Sequence, residues 1–104
     1  LAFCLNHLIL KSFWVSAAKP ALMLAFKNLV DAYFPCIDWE PQDAFEARVA
    51  RLLPALLLAR VDGKSPVEYL DPLHQEPVRR MARALILWSP SRLSRIEEAW
   101  RAQP

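Results

Sequence analysis

Apolar residues at helical spacing fill most of this chain. Over residues 1 to about 15 they occupy Leu1, Phe3, Cys4, Leu5, Leu8, Ile9, Leu10, Phe13 and Trp14. These positions cover nearly the whole circumference of a helix. His7 and Lys11 share one narrow stripe at i,i+4, and Asn6 points elsewhere. A helix that is apolar all round is buried on all sides, and a 104-residue chain has difficulty surrounding one helix completely. The pattern therefore predicts that the first helix packs against material outside this chain. The absence of an initiator Met before it points the same way, to a piece of something longer.

Prolines punctuate the rest. Pro20 suits the first turn of a second helix over 20–34, whose polar stripe is Lys27, Asn28 and Asp31, and Pro35 ends it. Residues 35–40 form a connection. Pro41 starts a third helix, in which Phe45, Val49, Leu52, Leu53 and Leu56 keep helical spacing. Its acidic residues (Asp43, Glu46) precede its basic ones (Arg48, Arg51), which matches the helix dipole. Pro54 lies inside the pattern and removes the bond to the carbonyl of Ala50, so a kink or restart is expected there. Gly63 suits a left-handed position that terminates the helix.

A short helical turn is expected over 66–70, and Asp71-Pro72 marks a boundary. From Pro77 an amphipathic helix runs through Val78, Met81, Ala82, Leu85 and Ile86. Ser89-Pro90 reads as cap and first position of a last helix, whose inner stripe is Leu93, Ile96 and Trp100. Ser94 with Glu97 is an alternative capping box. The fold class is all-α, five to six helices joined by short loops, in one domain spanning 1–104.

Composition supports this reading. Threonine is absent and there is a single glycine against nine prolines, so helices are favoured over strands. With 55% hydrophobic and 23% charged residues the chain is globular. A net charge of +2 gives no electrostatic ground for binding nucleic acid or a membrane surface, although Arg79, Arg80, Arg83, Arg92, Arg95 and Arg101 cluster late. No apolar run approaches the ~20 residues that span a bilayer, and no signal peptide is visible. Cys4 and Cys36 sit among apolar residues and read as buried free thiols, which suits a reducing cytoplasm.

Most motifs dissolve on inspection. Gly63-Lys64-Ser65 looks like the end of a P-loop, but Leu58 stands where the first glycine belongs, a helix precedes it and Pro66 follows. Asp38 and Glu40 could hold Mg2+, yet no supporting cluster accompanies them, and helix capping is the plainer reading. His7 and His74 have no partners at zinc spacing; Cys4 and His7 are two ligands where three or four are needed. His7 on an apolar helix reads first as a hydrogen-bonded core residue. No Gly-x-Ser-x-Gly elbow exists.

The corner around Gly63 is harder to dismiss. Arg60, Asp62, Lys64 and Tyr69 converge at the one glycine, under a very apolar helix. Such a place can hold a polar ligand at the edge of a core. The plainer reading is that Arg60 and Asp62 pair across the helix end while Lys64 is solvated.

The run Leu56 to Leu70 resembles the C-terminal helical subdomain of the aminoglycoside phosphotransferase-like family. Leu1-Ala2-Phe3-Cys4-Leu5-Asn6-His7-Leu8 is similar to the helix that follows the metal-binding stretch in that family. The resemblance implies a protein-kinase-like fold and transfer of a phosphoryl group from ATP to a small-molecule hydroxyl. It implies that 1–104 is the substrate-side, C-terminal part of such an enzyme, with ATP and Mg2+ bound by the parent and no cofactor held here. The family's His-Gly-Asp catalytic loop and metal-binding acidic motif have no counterpart, since Leu8 follows His7 and Gln75 follows His74. The isolated chain is therefore expected to be inactive and to carry no catalytic residue. Its partners would be the parent's N-terminal lobes, or an equivalent apolar surface, and a small-molecule acceptor. His7, Arg60, Asp62, Lys64 and Tyr69 become candidates for the acceptor-cleft wall, and Asp62→Ala is expected to impair acceptor use more than ATP binding. The alternative is a stand-alone helical interaction or structural module that docks through its first helix.

Overall fold

A computed structural model describes residues 1–104. It contains five α-helices and no strand: α1 (Ala2–Trp14), α2 (Lys19–Tyr33), α3 (Gln42–Asp62), α4 (Pro72–Trp88) and α5 (Leu93–Arg101). Short 3-10 turns at Ser16–Ala18 and Phe34–Cys36 bracket α2. The all-α class matches the sequence pattern. The radius of gyration is 13.3 Å, close to the ~13 Å of a folded domain of this length. No helix is long and apolar enough to cross a membrane.

The core is one cluster to which all five helices contribute. α3 supplies Val49, Ala50, Leu53, Leu57 and Val61, and α4 supplies Val78, Met81, Ala82 and Leu85. α1 lays Leu5, Ile9 and Leu10 against them, α2 inserts Phe26, and α5 closes the cluster with Leu93, Ile96 and Trp100. Trp100 is completely buried. Its ring packs 5.5 Å from Phe26, and its indole Nε1–H donates to Ser12 Oγ at 2.8 Å. Ser12 in turn donates to the Ile9 carbonyl at 2.6 Å. One side chain thus ties the last helix to the first two.

Pro54 neither breaks nor restarts α3, which runs unbroken past it. An interior proline costs ~3 kcal/mol or more. Val49, Leu53, Leu57 and Val61 lie on both sides of it in the same core, and each buried side chain contributes ~1.5–3 kcal/mol. Burial outweighs the missing hydrogen bond. The same holds at Pro77, expected to begin a helix but found inside α4. That helix starts five residues earlier, because Asp71 is a working N-cap: its Oδ1 accepts from the His74 backbone N–H at 2.9 Å, and Pro72 takes the first position. The short helical turn expected at 66–70 is absent; that segment is irregular.

Ser89 also departs from its expected role. It ends α4 in a left-handed conformation (φ 53°, ψ 58°) and does not cap the last helix. α5 begins only at Leu93, and neither Ser89 nor a Ser94–Glu97 box caps it. Its cap comes from α3: Glu46 Oε2 accepts the Leu93 N–H at 2.9 Å. Asp38 and Glu40 do not cap α3, which begins after Pro41 without a side-chain cap. Glu40 instead holds the guanidinium of Arg48 through both carboxylate oxygens.

Gly63 is extended, not left-handed, with φ −86° and ψ −168°. The need for glycine is steric. Its N–H bonds the Ala59 carbonyl at 2.8 Å, and a Cβ here would sit 2.3 Å from that oxygen. Gly63→Ala is therefore expected to cost about 1–3 kcal/mol, the usual range for forced overpacking. A lowered urea midpoint at unchanged slope would show it; an unshifted midpoint would mean that the helix end yields freely.

The cysteine expectation fails. Cys4 and Cys36 are both free and exposed. Ile86, expected on the inner stripe of α4, is also exposed at 41%. Helical spacing identifies a face but does not set its width, so Cys4 and Ile86 fall outside the buried arcs of their helices, while Cys36 ends the exposed 3-10 turn after α2.

Candidate functional site

The first helix is covered on one face only. Ala2, Leu5, Asn6, Ile9, Leu10 and Ser12 are buried, against α2, α3 and α4. The opposite face carries Phe3 and Trp14, 53% and 51% exposed, with Cys4 and Lys11 also open to solvent. The expectation of a helix buried all round by its surroundings is thus half met: this chain covers one side and leaves an aromatic side bare.

That bare side meets the corner at the end of α3. Arg60 leaves the last turn of α3 and reaches back toward α1, its guanidinium carbon 6.0 Å from the centre of the Phe3 ring. One terminal N–H group of Arg60 donates to the Ser65 carbonyl at 2.9 Å and so pins the irregular segment. The Val67 N–H closes the same loop on the Arg60 carbonyl at 2.8 Å. Val67 and Leu70 are buried and anchor the segment in the core. Between them, Tyr69 turns onto Trp14, ring centres 4.9 Å apart. The Lys11 ammonium lies 5.6 Å over Tyr69 and 5.9 Å over Trp14, where ring quadrupoles attract a cation. His7 completes the row, its ring 4.7 Å from Phe3.

Two polar groups in this corner are buried with no protein partner: Arg60 Nε and the Tyr69 hydroxyl. Burial pushes the Tyr69 hydroxyl above its ordinary range, and the Arg60 charge opposes that in part. The phenol is therefore a neutral donor at physiological pH. Behind the row, the Asn6 side chain is fully buried with both amide atoms unpaired. An unpaired buried polar group costs ~1–3 kcal/mol. Arg60 Nε and the Tyr69 hydroxyl are thus two donors left unused within the protein.

The five residues singled out from sequence do not act together. His7, Arg60 and Tyr69 gather on the α1 side, linked through Phe3, Trp14 and Lys11. Asp62 turns away toward α4. Its two carboxylate oxygens accept from Arg79 Nε and a terminal nitrogen, each at 2.7 Å, and Arg79 also engages Glu76. Arg60 and Asp62 do not pair with each other; the partner of Asp62 lies seventeen residues further on. Lys64 is exposed and makes no side-chain hydrogen bond or ion pair.

Sequence reasoning missed Phe3, Lys11 and Trp14 as site-forming residues, and Arg79 as the partner of Asp62. Lys11 and Trp14 stand four and seven positions from His7, on the same helix face, so the stripe was present in the spacing. The Asn6 signal was also there: a lone amide on a helix of nearly unbroken apolar character.

Hydrogen bonds from Arg79 hold the Asp62 carboxyl below its ordinary range, with desolvation opposing and the Arg79 and Arg83 charges assisting. A depressed folded value means that the pair's contribution to stability is present above the ordinary carboxylate pKa of ~3.9. It is lost as pH falls through the lowered folded value. Glu40, held by Arg48, and Asp71, held by His74, act in the same direction. Asp62→Asn should therefore flatten the acid limb of a melting-temperature profile below about pH 4. An unchanged limb would show that Asp62 adds nothing to acid sensitivity.

The architecture is thus an all-α bundle with a half-covered aromatic helix and two unpaired buried donors at one corner. Comparisons with family models, with curated proteins and with solved structures return no match.

Proposed function

We infer that this chain is the C-terminal, substrate-side helical part of an ATP-dependent phosphotransferase acting on a small-molecule hydroxyl. The observation that carries the reading is a coincidence of place. The run Leu56 to Leu70, which bears the family resemblance, is also the run that presents Arg60 Nε and the Tyr69 hydroxyl as buried donors without protein partners. In this reading the corner walls the acceptor cleft, and the bare face of α1 receives the catalytic lobes. ATP and Mg2+ bind in those lobes, where metal-assisted charge stabilisation belongs. The enzyme works in the cytoplasm, and the free thiols of Cys4 and Cys36 suit a reducing compartment.

His7, Arg60 and Tyr69 carry the wall. Asp62 acts behind it by fixing the end of α3 to α4 through Arg79, so the effect of Asp62→Ala on acceptor use is indirect. Lys64 stands free to meet an acceptor or the missing lobes. The test is ATP turnover with hydroxyl acceptors, measured on the 104-residue chain alone and on the chain expressed with its upstream reading frame. The second reading, a helical interaction module, draws on the same bare face, because exposed aromatic patches mark partner sites. An upstream frame without a His-Gly-Asp loop would favour it.

A further inference from the structure

A further cavity lies beside that corner and shares Trp14 with it. It lies where the end of α1, the start of α2 and the first half of α4 meet the C-terminal residues, and measures about 180 Å³. A water's share of liquid volume is ~30 Å³, so the space suits a small molecule and not a macromolecular segment. Trp14 and Pro77 supply apolar wall; Ser16, Lys19, His74 and Arg80 supply polar wall.

The charged side chains of this lining are all basic. No Asp or Glu side chain lines the cavity. Arg80 forms no ion pair and no hydrogen bond, although its neighbour Arg79 is fully engaged. Lys19 is half-buried and has no carboxylate partner; its ammonium donates to the backbone carbonyls of Gln103 at 2.5 Å and Arg101 at 3.4 Å. Desolvation, and then the Arg101 charge, lower its affinity for the proton, and an anion nearby would oppose that shift by favouring the charged ammonium. The His74 ring faces Asp71 at 2.6 Å and is balanced by it. Lys19 and Arg80 therefore leave the lining net positive, even against the α-carboxylate that Pro104 carries in the 104-residue chain. The first turn of α2 opens beside them with no acidic residue to offset its dipole.

We propose that this cavity binds a small phosphate monoester, its dianion held between Lys19 and Arg80 and its apolar body against Trp14 and Pro77. A phosphate carries about −1.5 to −2 charge near neutrality, which matches two cations better than a carboxylate does. Guanidinium groups suit the phosphate fork geometrically. The proposal shares Trp14 with the Arg60–Tyr69 corner but does not rest on the phosphotransferase reading, because its two charged groups, Lys19 and Arg80, take no part in it.

Calorimetric titration of the 104-residue chain with phenyl phosphate, inorganic phosphate and benzoate tests it. Phenyl phosphate should bind at one site and more tightly than either of the other two. Arg80→Gln should weaken that binding at least ~10-fold, the scale of one lost charge-assisted contact. Arg51→Gln changes net charge equally on an exposed, unpaired arginine outside the cavity, and should leave binding unchanged. The proposal is overturned by no binding at millimolar phenyl phosphate, by benzoate binding as tightly, or by equal losses in the two variants. Arg80 is exposed and makes no hydrogen bond or ion pair, so a folded Arg80→Gln protein is expected, and circular dichroism checks it.

Discussion

Trp100→Ala should cost about 3–5 kcal/mol, the range for removing a fully buried large aromatic. A domain of this size holds only ~5–15 kcal/mol in total, so this one change removes a large share of it. The loss has three parts. The indole leaves a void between α1, α2 and α5. Phe26 loses the ring packed 5.5 Å away. Ser12 loses the donor that bound its hydroxyl at 2.8 Å. Trp100→Phe keeps most of the apolar area and forfeits mainly the hydrogen bond, so it should cost clearly less, about 1–2 kcal/mol. Urea unfolding followed by circular dichroism separates the two variants. A loss under 1 kcal/mol in Trp100→Ala would mean that α5 is dispensable to the core.

The second large effect follows from the proposed phosphotransferase reading and is measured on the chain joined to its upstream reading frame. Arg60→Ala should lower kcat/KM for the acceptor by roughly 100-fold, the penalty for displacing a bound substrate by about 1 Å, while the KM for ATP stays unchanged. Arg60 also holds the Ser65 carbonyl, so this variant mixes a local structural loss with any lost contact. Tyr69→Phe separates them. The Tyr69 hydroxyl has no protein partner, so removing it should leave stability unchanged or raise it slightly, since an unpaired buried group is removed. A wall role for Tyr69 predicts that acceptor kcat/KM falls while stability does not. Unaltered acceptor kinetics in Tyr69→Phe would remove it from the cleft.

The helices that were legible in the sequence are those whose polar stripe is plain. The inner stripe of α5, Leu93, Ile96 and Trp100, is buried as its spacing requires, and Lys27 pairs with Asp31 at 2.7 Å on the outside of α2. Ends were less legible. Pro77 and Ser89 carry strong local signals that packing overrides: Asp71 caps α4 ahead of Pro77, and a carboxylate from α3, Glu46, supplies the cap that Ser89 was expected to give α5. No window of local sequence contains that information. Gly63 was singled out for the right residue and the wrong cause. Its freedom from a Cβ matters because of the Ala59 carbonyl, and not because of a left-handed φ.

The corner was half legible for the same reason. Four polar residues crowded at a glycine mark a place, but they do not say which will pair. Asp62 finds Arg79 on α4, while Arg60 folds back over Phe3. The near-uniform apolar character of α1 hid which face is bare. That face is decided by where α2, α3 and α4 lie against it, and the exposed Phe3, Cys4 and Trp14 emerge only once they are placed.

The central claim is that this chain is the acceptor-side part of a phosphotransferase whose ion site and catalytic loop lie in preceding sequence. Its most direct test is ATP turnover with a panel of hydroxyl acceptors, comparing the chain alone with the chain joined to its upstream reading frame. The account predicts no turnover from residues 1–104 and acceptor-dependent turnover from the longer protein. Turnover by the 104-residue chain that survives purification controls, or none from the longer protein with any acceptor, would contradict it.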